Sequence, residues 1–188
     1  MTSAIVLGGG RASRLGGADK ASIDISGRML LDHVLAAVAG CRPVIVAGPA
    51  HLARPGVTIV REEPPFGGPV AGIAAALDAF ADDAPAAETW LLACDLPRAA
   101  DIVALLGPVA IPADADAIML ADEHGREQWL AGRYRLAALR AAAAGLPTAR
   151  DASMRSLTSG IRTHIVADRT GASVDLDTWP AIDDYRSR

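Results

Sequence analysis

Ser3-Ala4-Ile5-Val6-Leu7-Gly8-Gly9-Gly10-Arg11-Ala12-Ser13-Arg14-Leu15-Gly16-Gly17-Ala18-Asp19-Lys20 joins a short apolar, partly β-branched run to a long loop of glycine and charge. The run reads as a buried strand over 3–7, and residues 8–20 are too rich in glycine to continue it or to start a helix. Adjacent glycines let a backbone approach a ligand closely and turn N–H groups toward one anion. Arg14 adds a planar fork for phosphate oxygens and Lys20 a point charge. The chain contains 17 arginines and a single lysine, so this ammonium stands out. Two familiar loop labels fail. GxGxxG would need glycine where Ser13 stands, and a Walker A loop would need glycine, not Asp19, before Lys20.

Outward from this loop the pattern alternates. Strands are expected at 43–47, 57–60, 89–94 and 162–167. Helices are expected at 28–39, where Leu30, Leu31, Val34, Leu35 and Val38 form a stripe, and at 71–81, 101–106 and 136–144, with a short one from Pro180. A short extended piece at 21–25 closes on a Ser26-Gly27 turn. Segments 117–121 and 128–134 read as extended around a turn at 123–126, an antiparallel addition at one side of the sheet. Strands alternating with helices imply an α/β fold: a mostly parallel open sheet with helices on both faces, in one domain over 1–188.

Composition narrows the function. The 188 residues are 51% hydrophobic and 21% charged, with 18 basic and 22 acidic side chains and a net charge of −4. A chain of this length folds without metal or disulfide support. Its acidity argues against a nucleic-acid partner, and no run approaches the ~20 apolar residues of a membrane span. The opening residues lack a basic n-region, and Cys41 and Cys94 lie in no redox or metal spacing, so a cytoplasmic setting is expected. His33, His51, His124 and His164 are isolated, and no zinc cluster or serine-hydrolase order is present.

Three further segments carry chemistry. The apolar run 89–94 delivers Asp95-Leu96-Pro97, and a carboxylate at the end of a buried strand needs a cation or a hydrogen bond. Mg²⁺ held together with a polyphosphate takes only one or two protein carboxylates, so Asp95 is the candidate ligand, with helix capping as the bland alternative. Val174-Asp175-Leu176-Asp177-Thr178 puts two carboxylates on one face, which either complete a Mg²⁺ shell, with Asp177 the second metal candidate, or repel each other at the surface. Glu62-Glu63 precedes Gly68-Pro69-Val70-Ala71-Gly72, a glycine-bounded loop that can present N–H groups at a helix start or serve as a plain connector.

Leu7-Gly8-Gly9-Gly10 with Arg14-Leu15-Gly16 and Asp19-Lys20 resembles the signature of the molybdenum cofactor guanylyltransferases. These belong to a wider group of nucleotidyltransferases built on a glycosyltransferase-A-like sheet, the fold of the nucleotide-diphospho-sugar transferases. Cys94-Asp95-Leu96-Pro97, the Gly68–Gly72 loop, Gln128–Tyr134 and the 174–178 segment follow in family order, so the resemblance runs from Leu7 to Thr178. It implies transfer of GMP from GTP to the phosphate of molybdenum-bearing molybdopterin, with Mg²⁺ as cofactor and pyrophosphate released. It assigns Arg14, Lys20 and Asp95 to catalysis, and Leu7, Gly8, Gly9, Gly10, Lys20, Glu62, Gly68 and Gly72 to the nucleotide. Asp95 and Asp177 take the metal. GTP and molybdopterin are the implied partners, with molybdoenzymes or cofactor-handling proteins beyond them.

The chain departs from the family pattern at two places. Asparagines usual in the 174–178 segment are replaced by Asp175 and Asp177, as in related cytidylyltransferases, and Ala47-Gly48-Pro49 stands where many relatives carry a guanine-reading asparagine. A related enzyme for another base or acceptor, such as CTP with molybdopterin, is therefore the alternative. A catalytically silent nucleotide-binding relative is the third reading. Trp129 can stack on a pterin or fill the core. Arg126, Arg133, Arg135 and Arg155 are candidates for the acceptor phosphate.

Overall fold

The computed structural model describes residues 2–9, 16, 19–81 and 87–187. Nine strands are present among them: β1 (Thr2–Leu7), β2 (Asp24–Ile25), β3 (Arg28–Met29), β4 (Val44–Ala47), β5 (Thr58–Val60), β6 (Glu88–Ala93), β7 (Ala117–Ala121), β8 (Glu127–Arg135) and β9 (Thr163–Ala167). Seven form one sheet in the order β5-β4-β1-β6-β8-β7-β9, and β2 pairs only with β3. Within the large sheet every pairing is parallel except those of β8, which runs against β6 and β7. The expected mostly parallel sheet is present, and the antiparallel addition lies inside the sheet rather than at its edge.

The helices are α1 (Leu30–Ala37), α2 (Pro69–Asp78), α3 (Ala99–Leu106), α4 (Leu136–Ala144), α5 (Met154–Thr158) and α6 (Trp179–Arg186). They cover both faces. Ala4 and Val6 of β1 point to one side and pack with Leu31 and Val34 of α1 and Ile102 and Leu106 of α3. Ile5 and Leu7 point to the other side, against Ile73 and Leu77 of α2, Leu139 of α4 and Leu157 of α5. A parallel strand covered on both faces needs apolar side chains at consecutive positions, which is how β1 reads. Among the described residues no helix is long and apolar enough to cross a membrane.

Two expectations need correction. The helix expected from residue 28 starts at Leu30, because Arg28 and Met29 pair with Asp24 and Ile25 across the Ser26-Gly27 turn. Ser26 and Gly27 both have positive φ, as a two-residue hairpin turn with the favoured twist requires. Helix α5 was not expected from the sequence. It is a single turn begun by Ser153, whose hydroxyl accepts the Ser156 N–H.

That hairpin matters beyond its size. Ile23, Ile25 and Leu30 bury a small satellite core with Ile182 of α6 and with Leu176. The C-terminal segment is thereby tied back to the 23–30 hairpin.

Candidate active site

The parallel strands point their C-terminal ends one way, and there the chain leaves a cleft of about 640 Å³. Open α/β sheets bind ligands in such crevices, where consecutive strands feed loops to both sides. Leu7 at the end of β1 with Gly8 and Gly9 after it, Ala47 at the end of β4, and Ala93 at the end of β6 with Cys94 and Asp95 after it line its floor. Glu62, Phe66, Gly68, Pro69 and Gly72 form one wall, and Asp19, Lys20, Leu130, Asp151 and Asp177 complete it.

Backbone bonds set the floor. Cys94 N donates to Leu7 O at 3.0 Å, carrying the β1–β6 ladder one step further and placing Gly8 beside Cys94, next to Asp95. Gly8 N donates to Ala47 O at 2.9 Å, so its N–H closes the sheet and is not offered to a ligand. The glycine is needed there for room: a Cβ on Gly8 would stand 2.7 Å from a Leu52 methyl. Gly9 is exposed above it. Gly10 and Arg14 lie outside the described residues.

Lys20 and Asp95 meet. Lys20 Nζ donates to Asp95 Oδ2 at 2.6 Å, with both side chains largely out of water. The second carboxylate oxygen, Asp95 Oδ1, is buried and has no hydrogen-bond partner among the described residues. An ionised carboxylate with an open oxygen in a desolvated place is costly, and a cation is the partner its chemistry suits. Asp95 does not cap α3, whose N-cap is Arg98 and has no side-chain cap bond.

Lys20 owes its position to Asp19. Asp19 precedes the 3-10 turn Lys20–Ser22 and accepts from Ala21 N at 3.2 Å. It also accepts from the Ser22 hydroxyl and pairs with His51 Nε2 at 2.6 Å. Partial burial pushes its carboxyl up, but the bonds from Ser22, His51 and Ala21 outweigh this and lower it. His51 reads as isolated in the sequence; its contact is 32 residues away, across a loop.

Asp177 lines the cleft while Leu176, between the two carboxylates, turns inward to the satellite core. Leu176 N donates to Asp95 O at 3.1 Å and fixes the segment beside β6. Partial withdrawal from water, together with the charges of Asp95 and Asp177, raises the Asp175 carboxyl above the ordinary carboxylate value. Three carboxylates therefore feel one another here. Cys94, next to Asp95, is a buried thiol pushed far up by desolvation and by that neighbouring charge, so it is no nucleophile.

On the opposite wall Glu62 accepts the Phe66 N–H at 2.9 Å and shapes the 62–68 turn. Gly68 (φ +90°) leads into Pro69 at the start of α2. Gly72 faces Ala47 and Leu7, where a Cβ would sit 3.4 and 3.6 Å away, so α2 packs close over the floor. Asp151 N ties this turn to the 148–151 loop through Gly67 O at 2.7 Å. Glu63 is exposed and does not line the cleft.

The acceptor-side arginines are not at the cleft. Because β8 runs antiparallel, Arg133 and Arg135 lie at its far end. Arg133 is buried, bonds the carbonyls of Gly107 and Val109, pairs with Glu88 at 3.1 Å and stacks on Trp90. Arg135 donates to the carbonyls of Ala115, Ile111 and Pro112. Both hold loops. Arg126 and Arg155 are exposed and away from the cleft lining, and Trp129 packs against the core beneath α4 rather than into the cleft.

The residues fit a divalent cation bound with a polyphosphate. Among the described lining residues Lys20 is the sole cation, facing the carboxylates of Asp19, Glu62, Asp95, Asp151 and Asp177. Among the described lining residues carboxylates outnumber cations, and no group of three or more metal-binding side chains is present among the described residues. A cation sharing its shell between one or two carboxylates and substrate phosphates meets both conditions.

Comparison with known proteins gives this arrangement its family. A molybdenum cofactor guanylyltransferase from Acidiphilium cryptum is 35% identical over 189 residues, covering 96% of this chain and 91% of that protein. One from Bradyrhizobium sp. is 40% identical over 126 residues, covering 62% of this chain and 58% of its own length. In structure, a nucleotidyl transferase from Methanothermobacter thermautotroptrophicus superposes with a TM-score of 0.74 at 20% identity, covering 100% of this chain and 96% of that one, a likeness of fold. The family model described as the MobA-like NTP transferase domain matches residues 4–164, from β1 to the start of β9. The chain belongs to the MobA-like NTP transferase domain family.

Proposed function

We propose that the chain transfers GMP from GTP to the terminal phosphate of molybdenum-loaded molybdopterin and releases pyrophosphate. The observation that carries this reading is Asp95: one oxygen on Lys20, the other buried and open, in a cleft floored by Gly8 and Gly9. An acceptor phosphate oxygen attacks the α-phosphorus of GTP in line, a new P–O–P bond forms, and the bond to pyrophosphate breaks. Such chemistry asks the protein for positioning and charge neutralisation rather than a nucleophile.

Each residue's part follows from its place. Lys20 leaves Asp95 Oδ2 for a phosphate oxygen and stabilises the departing pyrophosphate. The Gly9 amide faces the triphosphate, Gly8 serves by its lack of a side chain, and Gly10 and Arg14, outside the described residues, take the phosphate roles that the family resemblance assigns them. Asp95 and Asp177 hold Mg²⁺, which when bound neutralises phosphate charge. Glu62 faces the base from the 62–68 turn, since a carboxylate accepts from both N1–H and N2–H of guanine. Leu130 and Asp151 lie on the side left for the acceptor.

Ala47 lines the cleft without a polar side chain, which favours a second reading in which the base is cytosine. Pyrophosphate release measured with GTP and CTP in parallel, with Mg²⁺ and molybdenum-loaded molybdopterin present, separates the two. Release with GTP alone is expected. Release with CTP alone would replace the substrate, and tight nucleotide binding without release from either would point to a silent relative.

A further inference from the structure

The turn after β9 holds a second buried carboxylate that the nucleotide chemistry does not use. Asp168 is 8% exposed. Its Oδ1 accepts from Thr170 N and Thr170 Oγ1, both at 3.1 Å, and from Ala172 N at 3.0 Å. Its Oδ2 accepts from Ser173 N and Ser173 Oγ, both at 2.7 Å. Burial alone would raise this carboxyl, but these donors outweigh it and hold it well below the usual carboxylate range. Its own N–H donates to Ala121 O at 2.8 Å, which anchors the turn to the end of β7.

The turn is also fastened from outside, to the segment that carries Asp95. Arg98, three residues after Asp95, donates to Thr170 O and is braced by Asp101 at 2.8 Å. Beyond the turn, Leu176 N donates to Asp95 O and the Leu176 side chain is buried in the satellite core. Residues 169–177 are thus bolted at both ends against the β6 segment. Like charges do not gather unaided, and the Asp95, Asp175 and Asp177 carboxyls would separate if the turn were loose.

We infer that Asp168 is the positioning residue of the cation site, folding residues 169–173 into a fixed turn that holds Asp177 beside Asp95 before the cation arrives. The inference rests on the reading of Asp95 and Asp177 as the cation's carboxylates. Preformed support of this kind sets metal affinity, because a ligand held in place loses no freedom on binding.

The test is Mn²⁺ binding to the protein–GTP complex, followed by electron paramagnetic resonance, with GTP binding in the absence of metal as the parallel measurement. Asp168→Asn keeps the shape but turns an amide toward the Ser173 donors. It is expected to weaken Mn²⁺ binding about tenfold, with metal-free GTP binding changed less than about twofold. Ser173→Ala removes one donor, should fold normally, and is expected to weaken Mn²⁺ about threefold. Excess Mg²⁺ should restore turnover in both. Lowered thermal stability with unchanged Mn²⁺ affinity in both variants would overturn the inference and leave Asp168 a loop clamp. Asp95→Asn and Asp177→Asn run alongside. If these weaken Mn²⁺ while the Asp168 and Ser173 variants do not, positioning alone fails. If Asp177→Asn also leaves Mn²⁺ untouched, the carboxylate reading has failed and takes the inference with it.

Discussion

Strands β6 and β9 lie in the same sheet, point the same way, and each is followed by a buried aspartate, yet the two carboxylates are treated differently. Asp168 takes five hydrogen bonds on its two oxygens, all from its own turn. Among the described residues Asp95 takes one, from Lys20, and Oδ1 has no partner. A buried polar atom left open costs about 1–3 kcal/mol, so it persists where a ligand repays the cost. The saturated carboxylate builds a turn, and the open one fits the cation proposed above. In a parallel sheet of this kind, how fully a strand-end aspartate is satisfied separates support from chemistry.

Changing Asp95 should strike chemistry hardest. Asp95→Asn retains an oxygen for Lys20 but loses the charge for the cation. Turnover is expected to fall about 10³-fold or more. Tm should shift by no more than about 2 °C. Pyrophosphate release and thermal melting check this, and an active Asp95→Asn enzyme would erase the contrast between the two aspartates.

Lys20→Ala should mix both effects. It removes the phosphate cation, for about a 10²-fold loss in kcat/KM. It also strips Asp95 of its one partner, for about 1–3 kcal/mol of stability measured by urea unfolding. Full activity in this variant would leave the triphosphate to Arg14 and the glycine amides.

Asp168→Asn should invert the Asp95 result, with about 2–3 kcal/mol lost from stability in place of a collapse in chemistry. The pH dependence sharpens the contrast. The folded carboxyl lies below its unfolded value near 3.8, so its stabilisation is fully present above that pH. It is lost as pH falls from there toward the folded value. The variant should therefore show a flatter fall in stability below about pH 4 than the parent in an acid titration followed by circular dichroism.

Glu62→Gln is expected to have the smallest effect of the four, since Gln keeps the acceptor for Phe66 N–H. KM for GTP should rise about tenfold while CTP handling stays unchanged. Equal effects on both nucleotides would make Glu62 a support like Asp168.

Much of this contrast was legible in the sequence, and its limits are physical. The run 3–7 and the helix 136–144 announce themselves because apolar spacing follows burial. Asp95 stands out because a charge ends an apolar strand. Asp168 does not, because its meaning depends on which backbone N–H groups fold back upon it. The only trace is an aspartate after a strand followed by Thr170, Gly171 and Ser173, small polar residues suited to a side-chain-anchored turn. The Arg28–Met29 strand was hidden because it runs straight into the helical stripe that opens at Leu30, with no breaker between them. Arg133 and Arg135 misled because residue type shows charge but not strand direction, and direction carried them away from the cleft.

That reversed strand also divides the molecule. Asp122 holds the turn between β7 and β8 through the N–H groups of His124 and Arg126, both at 2.9 Å. The turn opens at the cleft end, just ahead of Leu130. Residues gained or lost there alter the approach to the Leu130 side of the cleft and leave the register of β1 with β4 and β6 in place. Changes in this hairpin are thereby insulated from Gly8, Lys20 and Asp95, which stand on the parallel half of the sheet.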